Sequence, residues 1–296
     1  DLCYQNVNAK VIATHSGTSF GQAGSTHHAI TDLAVTRAMP NLTVICPADG
    51  VETYNAVMAA YETPGPFYIR INRGFDRVLY KDSDYGFQIG KAVTVNEGTD
   101  LTIIACGSCV FQAVQAADFL EKADGLKIRV LDMHTIKPID KEAIVKAVMD
   151  TRRIITVEDH NVLGGLGSAV AEVVVESGKG CAFKKLGVQD KFAPIGLHED
   201  IMSELGIDAN GIIAAVREVM KADFVSEAKQ IVAYAAANKK VPNYSTLDSG
   251  AVANYNSMFY MYVKILNWMK SNSALPNYVV INYGSGSSSD SSDSGS

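Results

Sequence analysis

Apolar and polar positions along the first 224 residues predict strands interleaved with helices. Short β-rich runs at 10–14, 42–46 and 66–71 read as strands, with helix-like stretches at 28–38 and 50–61 between them. The second helix follows Pro47-Ala48-Asp49, where an Asp carboxylate can accept an unpaired N–H of the first turn. After a polar, aromatic-dotted stretch at 74–86 the alternation resumes. Strand signals fall at 101–105, 127–131, 154–157 and 182–188, and helix signals at 110–123, 166–175, 198–205 and 209–221. Strands alternating with helices of about 10–15 residues predict βαβ units, hence an α/β chain with two parallel-sheet domains.

The pattern breaks near Phe224–Val225. The last 72 residues hold nine of the 58 charged residues and nine of the 24 aromatics, but none of the five cysteines or six histidines. Val241-Pro242-Asn243-Tyr244 recurs 34 residues later as Leu275-Pro276-Asn277-Tyr278. Each copy follows a helix-like segment, at 228–240 and 258–274, so a small helical repeat is expected over 225–284. Residues 285–296 are a low-complexity Ser/Gly/Asp tail.

A net charge of −6 argues against a surface that wraps nucleic acid. No run of 18 apolar residues exists, so no membrane-spanning helix is expected. Five cysteines suit a reducing compartment better than a disulfide scaffold. The chain opens Asp-Leu-Cys-Tyr, without a Met or a signal peptide, and reads as part of something longer.

The densest polar cluster is Thr14-His15-Ser16-Gly17 with Gly21-Gln22-Ala23-Gly24-Ser25-Thr26-His27-His28, just past a strand and before a helix. Ligands of parallel α/β sheets bind outside the carboxyl ends of strands, so this loop is a candidate site. A capped turn is the plainer reading, with Ser25 or Thr26 starting the next helix. Arg70 and Arg73 flank the end of the third strand. A guanidinium in an apolar strand must be paired or reach a ligand such as phosphate. Both readings are open for Arg70, and a salt bridge is favoured for Arg73. Cys106-Gly-Ser-Cys109 has redox-pair spacing but sits in an ordinary strand-to-helix turn. Gly164-Gly165-Leu166-Gly167 could cradle an anion at a helix start, and tight strand–helix packing is favoured.

These stretches, with Asp32-Leu33-Ala34, the run from Arg37 to Val44, Pro47-Ala48-Asp49, the run from Thr135 to Asp140 and Val157-Glu158-Asp159-His160, resemble the C-terminal half of the transketolase family. The resemblance spans residues 1–222. It implies a partial pyrimidine-binding domain at 1–74, a linker at 75–86 and a transketolase C-terminal domain at 87–222. It further implies thiamine diphosphate with Mg²⁺ as cofactor, transfer of a two-carbon ketol unit between sugar phosphates, and a cytoplasmic setting. By the same resemblance His15 contacts the donor or its phosphate, His27 bonds substrate hydroxyls or moves protons, and Arg70 clamps the phosphate. The glutamate and stacking aromatic that hold the aminopyrimidine would lie upstream of Asp1. No Gly-Asp-Gly metal motif occurs, so an N-terminal transketolase subunit would hold the diphosphate, in a homodimer of heterodimers. The 87–222 domain is expected to carry no catalytic residue. Thr26-His27-His28 also resembles deoxyxylulose-phosphate synthases. Residues 225–284 are similar to archaeal pseudomurein-binding repeats, which leaves a cell-wall binder, or a chimera of the two parts, as alternatives.

Overall fold

The computed structural model describes residues 1–74, 77–222, 244–246 and 252–254. The described residues up to 220 form one compact unit. Its first sheet contains β1 (Lys10–Ala13), β2 (Thr43–Ile45) and β3 (Phe67–Arg70), in the order β1-β3-β2, all parallel. Helices α1 (Asp32–Ala38) and α2 (Gly50–Glu62) connect them. The second sheet contains β4 (Val93–Asn96), β5 (Leu101–Ala105), β6 (Ile128–Asp132), β8 (Arg153–Asn161) and β9 (Ala182–Val188), ordered β4-β6-β5-β8-β9. Around it lie α3 (Cys109–Asp124), α4 (Lys141–Asp150), α5 (Leu166–Glu176), α6 (His198–Leu205) and a helix, α7, described over 209–222.

The sheets differ from the expectation in two strands. β4 runs antiparallel to β6 at the edge of the second sheet, and β7 (Thr135–Lys137), from the second half of the chain, pairs antiparallel with β2 in the first. Neither run is long enough to show a period of two. The structure also adds α4, capped by Asp140, whose carboxylate accepts the Ala143 N–H at 3.1 Å. Its buried Ile144, Ala147 and Val148 stand at helical spacing. The first helix starts at Asp32 rather than residue 28, so neither Ser25 nor Thr26 caps it; Ser25 instead bonds the Ala193 carbonyl at 3.0 Å.

The two sheets share a core. Leu33, Val44 and Cys46 pack in one cluster with Ile104, Leu131 and Val170, and each such fully buried side chain contributes roughly 1.5–3 kcal/mol by leaving water. A strap across the same junction adds polar ties. The Asp49 carboxylate caps α2 through the Glu52 N–H at 2.8 Å and also accepts the Leu79 and Tyr80 N–H groups. Tyr80 donates to Asp132 at 2.7 Å, Tyr85 donates to Glu52 at 2.9 Å, and their rings stack at 3.7 Å. Glu52 and Asp132 are two buried carboxyls of this strap, and each disfavours the other's charge. Burial and the neighbouring Glu52 charge push the Asp132 carboxyl well up. Burial pushes Glu52 up to about 7, against hydrogen bonds from Ala48 and Tyr85.

A second unit comprises residues 221–247 and 251–296. Its described parts are β10 (Tyr244–Thr246) and β11 (Val252–Asn254), antiparallel, with Tyr244 opposite Asn254. The helical repeat expected over 225–284, and the tail at 285–296, otherwise lie outside the described residues. Among the described residues no helix is long and apolar enough to cross a membrane.

The strap gives a pH prediction. A carboxyl raised by folding stabilises fully below its unfolded pKa, near 4.5 for Glu52, and loses that contribution as pH rises to about 7. The loss is at most roughly 3 kcal/mol. His134 and His160, both lowered by burial to about 4, act with the opposite sign over part of this range. Comparing variant with parent removes them. Glu52→Gln, which removes the titrating carboxyl, is expected to gain stability relative to the parent between pH 5 and pH 8. Urea midpoints at the two pH values measure it, and a pH-independent difference would refute the raised Glu52 carboxyl.

Candidate functional site

The site forms where β1 and β3 end side by side, Ala13 being in register with Arg70. Beyond β1 the chain turns through His15 at φ +63°, a left-handed conformation uncommon for a non-glycine residue. Gly17 then makes a two-way bridge with Ala29, at 3.1 and 2.9 Å, closing the loop that contains the 3₁₀ turn Gly21–Ala23. Phe20 projects from this loop as a common platform. The His15 ring lies 5.0 Å from it, the His27 ring 5.6 Å away edge-on, and the Arg73 guanidinium 4.5 Å from its centre.

Both histidines sit in a Thr-His pair. His15 Nδ1 is 2.9 Å from the Thr14 hydroxyl, and His27 Nδ1 is 3.0 Å from the Thr26 hydroxyl. With Nδ1 engaged, Nε2 is the nitrogen each ring has left for a ligand. His27 and Arg73 are exposed and His15 is half-buried. Two imidazoles and a guanidinium around one ring make a receptor for an anion. His28 does not join it: both its ring nitrogens are buried, with no partner among the described residues.

Arg70 is buried, 3% exposed. Its Nε donates to Asp32 at 2.8 Å, and its Nη2 donates to the carbonyls of Ala29 and Asp159 at 2.8 and 2.9 Å. Burial pushes the Asp32 carboxyl up, but the Arg70 charge and hydrogen bond, with the Tyr68 hydroxyl at 2.7 Å, bring it below its ordinary range. Arg70 is thus held by an ion pair and two backbone carbonyls. Arg73, past the end of the strand, packs its guanidinium on Phe20, a ring that was not among the sequence candidates.

Other candidates resolve as structure. The Glu158 carboxylate accepts the Leu166 and Gly167 N–H groups at 2.7 and 2.8 Å, so the anion at the glycine-rich start of α5 is the chain's own. Burial pushes that carboxyl up to about 7, against those two bonds. The neutral His160 ring accepts the Ala34 N–H and bonds the Asn161 carbonyl at 2.7 Å. Cys106 and Cys109 are free, buried thiols; the hydrogen bond with Cys46, then burial, raises the first, and burial raises the second. Neither has the thiolate character a redox pair needs.

A bound Mg²⁺ diphosphate needs grouped oxygen ligands. Among the described residues no three His, Cys, Asp or Glu side chains are grouped to hold a metal, and the cluster around Phe20 contains no carboxylate. The described residues therefore do not fit the metal–diphosphate end of such a cofactor.

Comparison with known proteins gives the same frame. Residues 1–75 match the family model for the transketolase pyrimidine-binding domain, and residues 90–212 that for the transketolase C-terminal domain. One subunit of an apulose-4-phosphate transketolase from Phocaeicola vulgatus is 39% identical over 221 residues, 75% of this chain and 70% of that protein. A 1-deoxy-D-xylulose-5-phosphate synthase from Heliobacterium modesticaldum is 34% identical, over 75% of this chain but 34% of its own length. A solved structure named as the inactive β4 tetramer of a split-gene transketolase superimposes with a TM-score of 0.66 at 38% identity, covering 74% of this chain and 68% of that one.

Arg70→Ala is expected to leave Asp32 buried without its partner and to lower unfolding free energy by about 3–5 kcal/mol. An unchanged denaturation midpoint would return Arg70 to the free cations.

Proposed function

We propose, for a chain that belongs to the transketolase family, that residues 1–222 form the substrate-phosphate side of a two-carbon ketol transfer between sugar phosphates. The observation that carries this reading is the convergence of His15, His27 and Arg73 on Phe20 at the carboxyl ends of β1 and β3. Arg73 supplies a permanent charge in a planar fork that suits phosphate. His15 and His27 add Nε2 atoms that donate to phosphate oxygens or to sugar hydroxyls near the reacting carbons. His27 is the residue we assign to proton movement, because its exposed imidazole can both donate and accept at Nε2.

The family depends on thiamine diphosphate. We place the diphosphate and its Mg²⁺ on an N-terminal transketolase subunit, in a homodimer of heterodimers working in the cytoplasm. The relative named as a transketolase subunit and the solved structure named as an inactive β4 tetramer support a split enzyme in which this half alone does not turn over. The pyrimidine-domain match, rather than the synthase relative, guides the choice of ketol transfer, because the synthase shares only a third of its length. For residues 225–284 the recurring Pro-Asn-Tyr sequence supports a separate reading, a pseudomurein-binding segment.

The test is a substrate comparison. This chain alone is expected to give no turnover with thiamine diphosphate and Mg²⁺. Joined to an N-terminal subunit, Arg73→Ala is expected to raise KM about 10- to 100-fold for a phosphorylated ketose, the worth of a charged hydrogen bond. For the unphosphorylated sugar the rise is expected to be about twofold. Equal effects on both substrates would remove Arg73 as the phosphate ligand.

A further inference from the structure

The loop that carries the site is held from the second sheet rather than from its own. Between His15 and Phe20, residues 16–19 are buried. Thr18 meets a carboxylate there. Asp159, near the end of β8 and 4% exposed, accepts the Thr18 backbone N–H at 2.8 Å and its hydroxyl at 3.0 and 3.1 Å. A side chain on Gly17, at φ +57°, would collide with the same carboxylate, so the loop passes directly over it. On the other side His198, the first residue of α6, places Nε2 3.3 Å from Asp159 Oδ2. The segment before α6 holds the far end of the loop: Gly196 N–H donates to the Gly21 carbonyl at 3.3 Å, and the Ser25 hydroxyl to Ala193. Burial pushes the Asp159 carboxyl up, but the hydrogen bond and charge of His198, the Arg70 charge and the Thr18 N–H bring it below its ordinary range, so it meets Thr18 as an anion.

We infer that Asp159 is a positioning residue: through Thr18 it fixes where Phe20 and His15 stand, His198 orients it, and the second α/β half thereby sets the anion affinity of the site. This gives residues 87–222, expected to carry no catalytic residue, a positioning role, and it rests on the anion-site reading for its ligand. His198 is a quarter exposed whereas Asp159 and Thr18 are buried, so the arrangement links a buried anchor to the rim of the loop.

The experiment uses the full chain with inorganic phosphate as the probe, read by calorimetry and by the C2–H resonances of the histidines. Thr18→Val keeps shape and backbone N–H but removes the hydroxyl; Thr18→Ser restores it. Asp159→Asn removes the charge. Thr18→Val and Asp159→Asn are expected to weaken phosphate about tenfold, the scale of one lost hydrogen bond to an anion, and Thr18→Ser to stay within about twofold. Both weakening variants are expected to move the His15 and His27 resonances before phosphate is added. A merely structural role would lower Tm and leave resonances and affinity of the folded protein unchanged, and that result overturns the inference. Should Asp159→Asn fail to fold, the Thr18 pair decides. Should the parent bind no phosphate, or Arg73→Ala bind it as tightly, the anion-site reading fails, while the resonance shifts still decide the positioning role.

Discussion

A guanidinium closed off from water must have its donors met inside the protein, and Arg70 meets them by drawing three separate parts of the chain together. Asp32 begins α1, Ala29 lies in the loop that closes on Gly17, and Asp159 lies near the end of β8 in the other sheet. Removing any one of these acceptors would leave part of a buried charge unpaired, which costs several kcal/mol. The ion pair therefore acts as a geometric junction. The histidine loop, the first helix and the second sheet take their places relative to one buried planar group, and the exposed cations around Phe20 are arranged on top of it.

The two sheets share one hydrophobic cluster, and two groups of polar contacts add to it. The Asp49–Glu52–Asp132 strap with its stacked tyrosines lies in one; the run from Glu158 to Asn161 lies in the other. In that run consecutive residues serve different elements: Glu158 caps α5, Asp159 holds Thr18, His160 meets Ala34, and Asn161 N–H donates to the Ile30 carbonyl at 2.9 Å. Four successive positions with four partners allow little substitution, since each side chain or backbone group satisfies a buried polar atom elsewhere.

Much of the α/β order was legible in the sequence, because β5, β6, β8 and β9 are apolar or β-rich runs and the long helices have sustained helical spacing. β4, β7 and α4 were not. The first two are four and three residues long. The third rests on an Asp cap that follows a proline and reads, from sequence, as the end of a loop. The histidine loop was legible from its Thr-His pairs and glycines. The roles of the two arginines were not, because period-two alternation states only that neighbours face opposite sides, and not which side is buried. The partners of Asp159, at positions 18 and 198, lie far from it in sequence and became visible only in the folded chain.

The glycine-rich turn before α5 extends this reasoning to ligand selection. Its amides already surround a carboxylate that is tethered to the neighbouring strand. A tethered competitor acts at an effective concentration on the order of millimolar or more. A diffusing nucleotide or metabolite would have to evict it, and would then leave an ionised side chain stranded in the interior. The turn is thus self-inhibited as a receptor, and a glycine signature that elsewhere advertises a nucleotide pocket here marks an intramolecular plug.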